Sequence, residues 1–166
     1  LDNYKEVAEA YVQLEYHLQA LRDNPGGHHL GEIVRIRRMI EMEKVPIFVE
    51  QAQKHLEDGK SVIIFVNYLD TMKLLQEQLD VNCVVRGGQT IQERDIHVGQ
   101  FQSNLEKVII LQVNAGGTGI ILHDLHGGHP RVGIVSCPES AGTLVQALGR
   151  AARGGDRARG DRPGGR

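Results

Sequence analysis

The chain has 166 residues, enough for one domain around a single core and not for two. Its 40% apolar and 24% charged residues, with no Trp, describe an ordinary globular chain whose core rests on Val, Ile and Leu. A formal net charge of -2 excludes polyanion binding by bulk charge, so a nucleic-acid partner must be met by a local surface; the charge is uneven, with six arginines from Arg150 to Arg166 against Asp156 and Asp161.

In chain order, Val7, Ala10, Tyr11, Leu14, Leu18 and Leu21 recur at helical spacing between Tyr4 and Arg22. Asp23-Asn24-Pro25-Gly26-Gly27 breaks that pattern, so the first helix reads as an appendage or a connection to a preceding domain. A second helix is expected from Gly31 towards Met42, with Ile33, Ile36, Met39 and Ile40 on one side. Pro46 suits the first turn of a third, about Pro46 to Leu56, which Asp58-Gly59 ends.

An alternation follows. Ser61 to Val66 is a continuous apolar run of the kind buried on both faces of a parallel sheet. Tyr68 to Leu79 is helical, Cys83 to Val85 a short strand, and Thr90 to Gln102 a helix with Thr90 as N-cap. Val108 to Val113 and Val132 to Cys137 read as further strands, and Ser140 to Ala152 as a last helix with Leu144, Val145 and Leu148 inward. The expected fold class is α/β, a mainly parallel sheet with helices on both faces, preceded by a helical N-terminal segment. Ligands of such sheets meet the loops at the C-terminal ends of the strands. Three of those loops carry unusual residues: Asn67-Tyr68, Arg86-Gly87-Gly88-Gln89, and Asn114 to Gly119.

Cys83 and Cys137 sit inside apolar runs, the pattern of buried, reduced thiols and of an intracellular compartment. No apolar run approaches the ~18 residues of a membrane span. The start is no signal peptide and lacks Met, so the chain reads as a fragment of something longer.

Two segments carry chemistry. In Ala115-Gly-Gly-Thr-Gly119 the glycines permit close approach to a phosphate and Thr118 adds a hydroxyl, although a tight turn alone would use the same residues. In Gln146-Ala-Leu-Gly149-Arg150-Ala-Ala-Arg153, Arg150 and Arg153 lie three apart on one helix face. Two planar cations there suit a transferring γ-phosphate; a solvated basic face is the alternative, weakened by the otherwise apolar helix and by Gly149, which permits close packing.

Taken together, these segments resemble the C-terminal lobe of superfamily-two helicases, nearest to Swi/Snf-like helicases of the viral and phage kind. Gln146 to Arg153 is similar to motif VI, Ala115 to Gly119 to motif V, and Ser61 to Tyr68 to motif IV. Gly87-Gly88-Gln89, Arg94 and Phe101-Gln102 look like the segment linking motifs IV and V. The resemblance spans about residues 31 to 153 and implies a second RecA-like lobe. It implies roles by position: Arg153 as an arginine finger with Arg150 beside it, and Gln146, Gly149, Gly117 and Gly119 at the nucleotide. Asn67, Gly87, Gly88, Gln89 and Thr118 would face the nucleic-acid backbone, whose phosphates carry little sequence information.

Two departures qualify the match. Where DEAD-box relatives have an Asp contacting the ribose, this chain has Ile121, and the His that opens their motif VI is missing. No Gly-x-x-x-x-Gly-Lys-Ser/Thr is present, because Gly59-Lys60-Ser61 precedes a strand and has Lys54 where the first glycine belongs. No Asp-Glu pair ends an apolar strand. ATP and Mg²⁺ would therefore be held mainly by a first lobe. His123, His126 and His129 with Asp124 have a metal-like look but span a Gly-Gly turn without a tetrahedral set, so no metal site is expected.

The expected layout is a helical appendage over residues 1–30, the lobe over 31–153 and a disordered Gly/Arg-rich tail over 154–166. The expected function is half of an ATP-dependent helicase or translocase, inactive alone, with DNA or RNA and an N-terminal RecA-like lobe as partners, and no membrane. A non-enzymatic nucleic-acid- or protein-binding module is the rival. A Rossmann-like coenzyme domain is disfavoured, since Asn67-Tyr68-Leu69-Asp70 follows the first strand where Gly-x-Gly-x-x-Gly is needed.

Overall fold

A computed structural model of the protein describes residues 4–25, 28–113 and 127–136. The chain opens with three helices, α1 (Tyr4–Asp23), α2 (His29–Glu43) and α3 (Val45–Glu57). It continues through β1 (Ser61–Val66), α4 (Leu69–Leu79), β2 (Val84–Val85), α5 (Ile91–Gln102), β3 (Val108–Gln112) and β4 (Arg131–Val135). The expected helix Ser140 to Ala152 and the tail 154–166 lie outside the described residues.

The four strands form one sheet in the order β2-β3-β1-β4. Every pairing is parallel, with Ile63 opposite Ile109 on one side and Gly133 on the other. From β1 the chain passes through α4 to the far edge at β2, then returns through α5 to β3. Right-handed crossovers running in opposite directions place α4 and α5 on opposite faces. Contacts agree: α3 lies on α4, β1 and β4, whereas α5 lies on β2 and β3. Covered on both faces, β1 has all six residues buried, as its unbroken apolar run requires.

Phe65, Met72, Leu75, Phe101 and the Ile109-Ile110-Leu111 run fill the core. Each such side chain taken fully from water contributes about 1.5–3 kcal/mol. Arg131, at the start of β4, lays its guanidinium 4.2 Å from the Phe101 ring centre. Lys44 alone separates α2 from α3, and Pro46 occupies the first turn of α3 as its missing N–H permits. Thr90 accepts from the Glu93 N–H while the Glu93 carboxylate accepts from the Thr90 N–H, a closed capping box that starts α5.

Strands β2, β3 and β4 are trimmed relative to the sequence reading. Cys83 still lends its carbonyl to the Ile110 N–H, but the paired strand begins at Val84. The fourth strand starts at Arg131 and ends at Val135, short of Cys137.

A smaller cluster of Ala10, Ile36 and Ile40, with Leu14 and Met39 against it, seats α1 on α2. Lys44 strengthens that seat by donating to the Tyr11 hydroxyl at 2.6 Å. Among the described residues, no helix is long and apolar enough to cross a membrane.

Candidate nucleic-acid interface at the C-terminal edge of the sheet

Helix α4 starts without a side-chain cap, because Tyr68 holds the N-cap position in an extended conformation and offers no nearby acceptor. Uncapped helix starts leave N–H groups without partners. Just ahead of this start, the N–H groups of Asn67 and Tyr68 find their acceptor in α2. Glu41, only 4% exposed, accepts the Asn67 N–H on both carboxylate oxygens at 3.1 Å and the Tyr68 N–H on Oε1 at 3.1 Å. Its Oε2 also accepts from the Asn67 side-chain amide at 2.8 Å and from the Ser136 hydroxyl at 2.7 Å. The carboxylate thus sits at the positive end of the α4 dipole.

The contacts continue along the edge. Gln112, the last residue of β3, donates through Nε2 to the Asn67 carbonyl at 3.3 Å. Its Oε1 accepts from the Gly87 N–H at 3.0 Å. Ser136, Glu41, Asn67, Gln112 and Gly87 therefore form one line of hydrogen bonds. It crosses the ends of β4, β1, β3 and β2 in their order within the sheet.

At the end of this line, the loop from Arg86 to Gln89 is braced from within. The Gln89 side chain accepts from the Arg86 N–H at 3.3 Å and donates to the Val84 carbonyl at 3.0 Å. His97 of α5 meets the same strand residue, its Nδ1 lying 2.7 Å from the Val84 carbonyl and 3.0 Å from the Val84 nitrogen. Gly88 has φ of 79°, a left-handed conformation that glycine adopts without strain. Arg86, Gly87 and Gly88 are exposed, which leaves backbone and a guanidinium at the surface of the edge.

Of the site residues expected from sequence, the structure brings Asn67, Gly87, Gly88 and Gln89 to this edge. The Asn67 amide is turned onto Glu41, and the Gln89 amide onto its own loop. Gly117, Thr118, Gly119, Gln146, Gly149, Arg150 and Arg153 lie outside the described residues, as do Ile121, His123, Asp124 and His126. Glu41, Gln112 and Ser136 were not anticipated. Glu41 stands beside Ile40 in an amphipathic helix, and nothing in its local pattern distinguishes it from a solvated acid.

An all-parallel sheet with helices on both faces, collecting its irregular loops at the C-terminal edge, is the second RecA-like lobe expected from sequence. Residues 43–155 match the family described as helicase conserved C-terminal domain, and the chain belongs to that family. It is 49% identical over 156 residues to a protein of Acanthamoeba polyphaga mimivirus with the provisional name ATP-dependent RNA helicase. That alignment covers 93% of this chain and 29% of the relative, so the chain spans under a third of that protein's length. Among solved structures, the Sulfolobus solfataricus SWI2/SNF2 ATPase core domain shares the fold, with a TM-score of 0.52 and 21% identity. The superposition covers 69% of this chain and 30% of that one.

Proposed function

We propose that this chain is the second lobe of an ATP-driven nucleic-acid motor, a helicase or translocase. In this reading Arg153 is the arginine finger and Arg150 its neighbour, both directed at ATP held against a first lobe. Gln146, Gly149, Gly117 and Gly119 border the nucleotide. The loop Gly87-Gly88-Gln89, together with Thr118, grips the backbone of an RNA or DNA strand, and Asn67 holds the end of β1 that supports the grip. The observation that carries the reading is the family match over residues 43–155, which includes each of these segments.

Mg²⁺ would be held by the first lobe. Among the described residues no three His, Cys, Asp or Glu side chains stand together as ligands. Among the described residues the one buried acid at the edge, Glu41, already accepts from Asn67, Tyr68 and Ser136.

The test compares nucleic-acid-stimulated ATPase activity of the chain alone, the chain joined to a first RecA-like lobe, and the joined form with Arg153→Ala. Activity only in the joined form, with a loss of about 10³-fold in Arg153→Ala, supports the half-motor. A joined form that is inert, or indifferent to Arg153, makes the chain a binding module instead.

A further inference from the structure

Away from the sheet edge, three histidines gather where α1 gives way to α2. His17 continues the stripe of α1 that carries Ala10 and Leu14 onto α2, and His29 is the first residue of α2. Both are half-buried, and their Nδ1 atoms stand 2.9 Å apart. The two ring centres are 5.2 Å apart, with the planes tilted by 45°. His28 stacks on His29 at 4.9 Å between ring centres. The Tyr16 ring stands edge-on to His17 at 5.2 Å and to His29 at 6.4 Å. Aromatic packing of this kind limits how far either imidazole can turn away from the other.

One Nδ1 bearing a proton and the other a lone pair make a hydrogen bond at this distance. The same distance is also the bite of a chelate. With metal–nitrogen bonds of about 2.0–2.1 Å, nitrogens 2.9 Å apart subtend about 90° at a shared ion. Neighbouring ligands of an octahedral or square-planar ion meet at that angle, whereas a tetrahedral ion asks for a wider one. Imidazole nitrogen is a ligand that Ni²⁺ and Cu²⁺ both favour.

We propose that His17 and His29 chelate a divalent transition ion of the Ni²⁺ or Cu²⁺ type, which staples α1 to α2. The site stands apart from the motor reading and needs neither ATP nor nucleic acid. Both rings bind as neutral imidazoles with their remaining proton on Nε2. The proton of the hydrogen-bonded Nδ1 therefore passes to Nε2 of its own ring, and none is released. Among the described residues no group of three His, Cys, Asp or Glu forms, so water completes the coordination. The positive end of the α2 dipole opposes a cation at His29. Glu32, in the first turn of α2, offsets it with a carboxylate. That carboxyl is held below its usual value chiefly by Arg35 and, more weakly, by His17 and His28. The apolar seat of α1 is small, so an ion that binds only the docked pair adds to it by mass action.

The test titrates NiCl₂ into the full chain, purified without a histidine tag, by calorimetry, and follows thermal melting over the same concentrations. One ion per chain is expected, with a melting midpoint that climbs as NiCl₂ is added. His17→Gln and His29→Gln should each weaken binding by about 100-fold, the upper end of what losing an outer partner of a metal site costs. Each should also abolish the rise in melting midpoint. The paired change His123→Gln and His126→Gln, in the other histidine-rich segment, should leave both readouts as they were. Binding that survives His17→Gln, that disappears with the His123 and His126 changes, or that is missing at millimolar NiCl₂ overturns the chelate. If the His17 and His29 variants do not fold, Cu²⁺ paramagnetic resonance of the chain lacking His123 and His126 decides. Splitting from two equatorial imidazole nitrogens supports the site, and splitting from one or none overturns it.

Discussion

The Ser136 hydroxyl meets the Glu41 carboxylate at 2.7 Å, joining the end of β4 to the end of α2 inside a region neither residue could close alone. Around this contact, five hydrogen bonds converge on one buried anion from Asn67, Tyr68 and Ser136.

Removing the acceptor should therefore cost more than shortening the side chain would suggest. Glu41→Ala leaves the Asn67 and Tyr68 N–H groups without their acceptor, and a loss of about 2–4 kcal/mol is expected. Glu41→Gln keeps one oxygen but turns an NH₂ towards donors, for about 1–3 kcal/mol. Urea denaturation of the isolated chain measures both. A loss under half a kcal/mol in Glu41→Ala would mean that water serves those donors equally well.

Gly88 and Gly87 stand next to each other and should respond differently to alanine. At Gly88 the φ of 79° makes an alanine strained although the space beyond is open, with Arg86 Nη1 3.9 Å away. Gly88→Ala should cost about 1 kcal/mol, and Gly88→Asn less, because Asn tolerates the left-handed region. At Gly87 a Cβ would meet Gln112 Oε1 at 3.5 Å, an ordinary contact, so Gly87→Ala should fold with near-normal stability. Denaturant midpoints of the three variants decide this, and an equal loss at both positions would contradict the assigned backbone.

Cys83 supplies a pH prediction. Burial, reinforced by the Glu106 carboxylate and opposed by a hydrogen bond from the Phe101 backbone, pushes its thiol from 9.0 up to about 12. A group whose value is raised on folding gives its full contribution below its unfolded value and loses it as pH rises through the folded one. Its share of stability should thus hold below pH 9 and decline from there towards pH 12. With Cys137→Ser as background, alkylation of Cys83 at pH 8 should run about 10³-fold slower in the native chain than in urea, following the thiolate fraction. Equal rates would show that the thiol is accessible and ionises normally.

The framework was legible where local pattern and tertiary environment agree. Ser61 to Val66 announced a doubly covered strand because Val62 to Val66 is a short apolar run, rich in β-branched residues and followed by Asn67, and Thr90 with Glu93 announced a helix start through a cap closed within four residues. The strand at Cys83 was legible as a strand but not in its length, which depends on how far β3 runs beside it. Glu41 was illegible for a different reason. Its burial is created by the ends of β1 and β4 arriving next to α2, contacts 26 and 95 residues distant along the chain. No helical period encodes that. Gln112 likewise reads as an ordinary strand end until Asn67 and Gly87 are placed on either side of it.

The seat of α1 on α2 has a mechanical consequence. Ile40, held by Ala10, is the immediate neighbour of Glu41, so the helix that anchors the hairpin also carries the buried carboxylate. Substitutions that unseat α1, at Ala10 for instance, therefore act on the same helix that supplies the acceptor for Asn67, Tyr68 and Ser136.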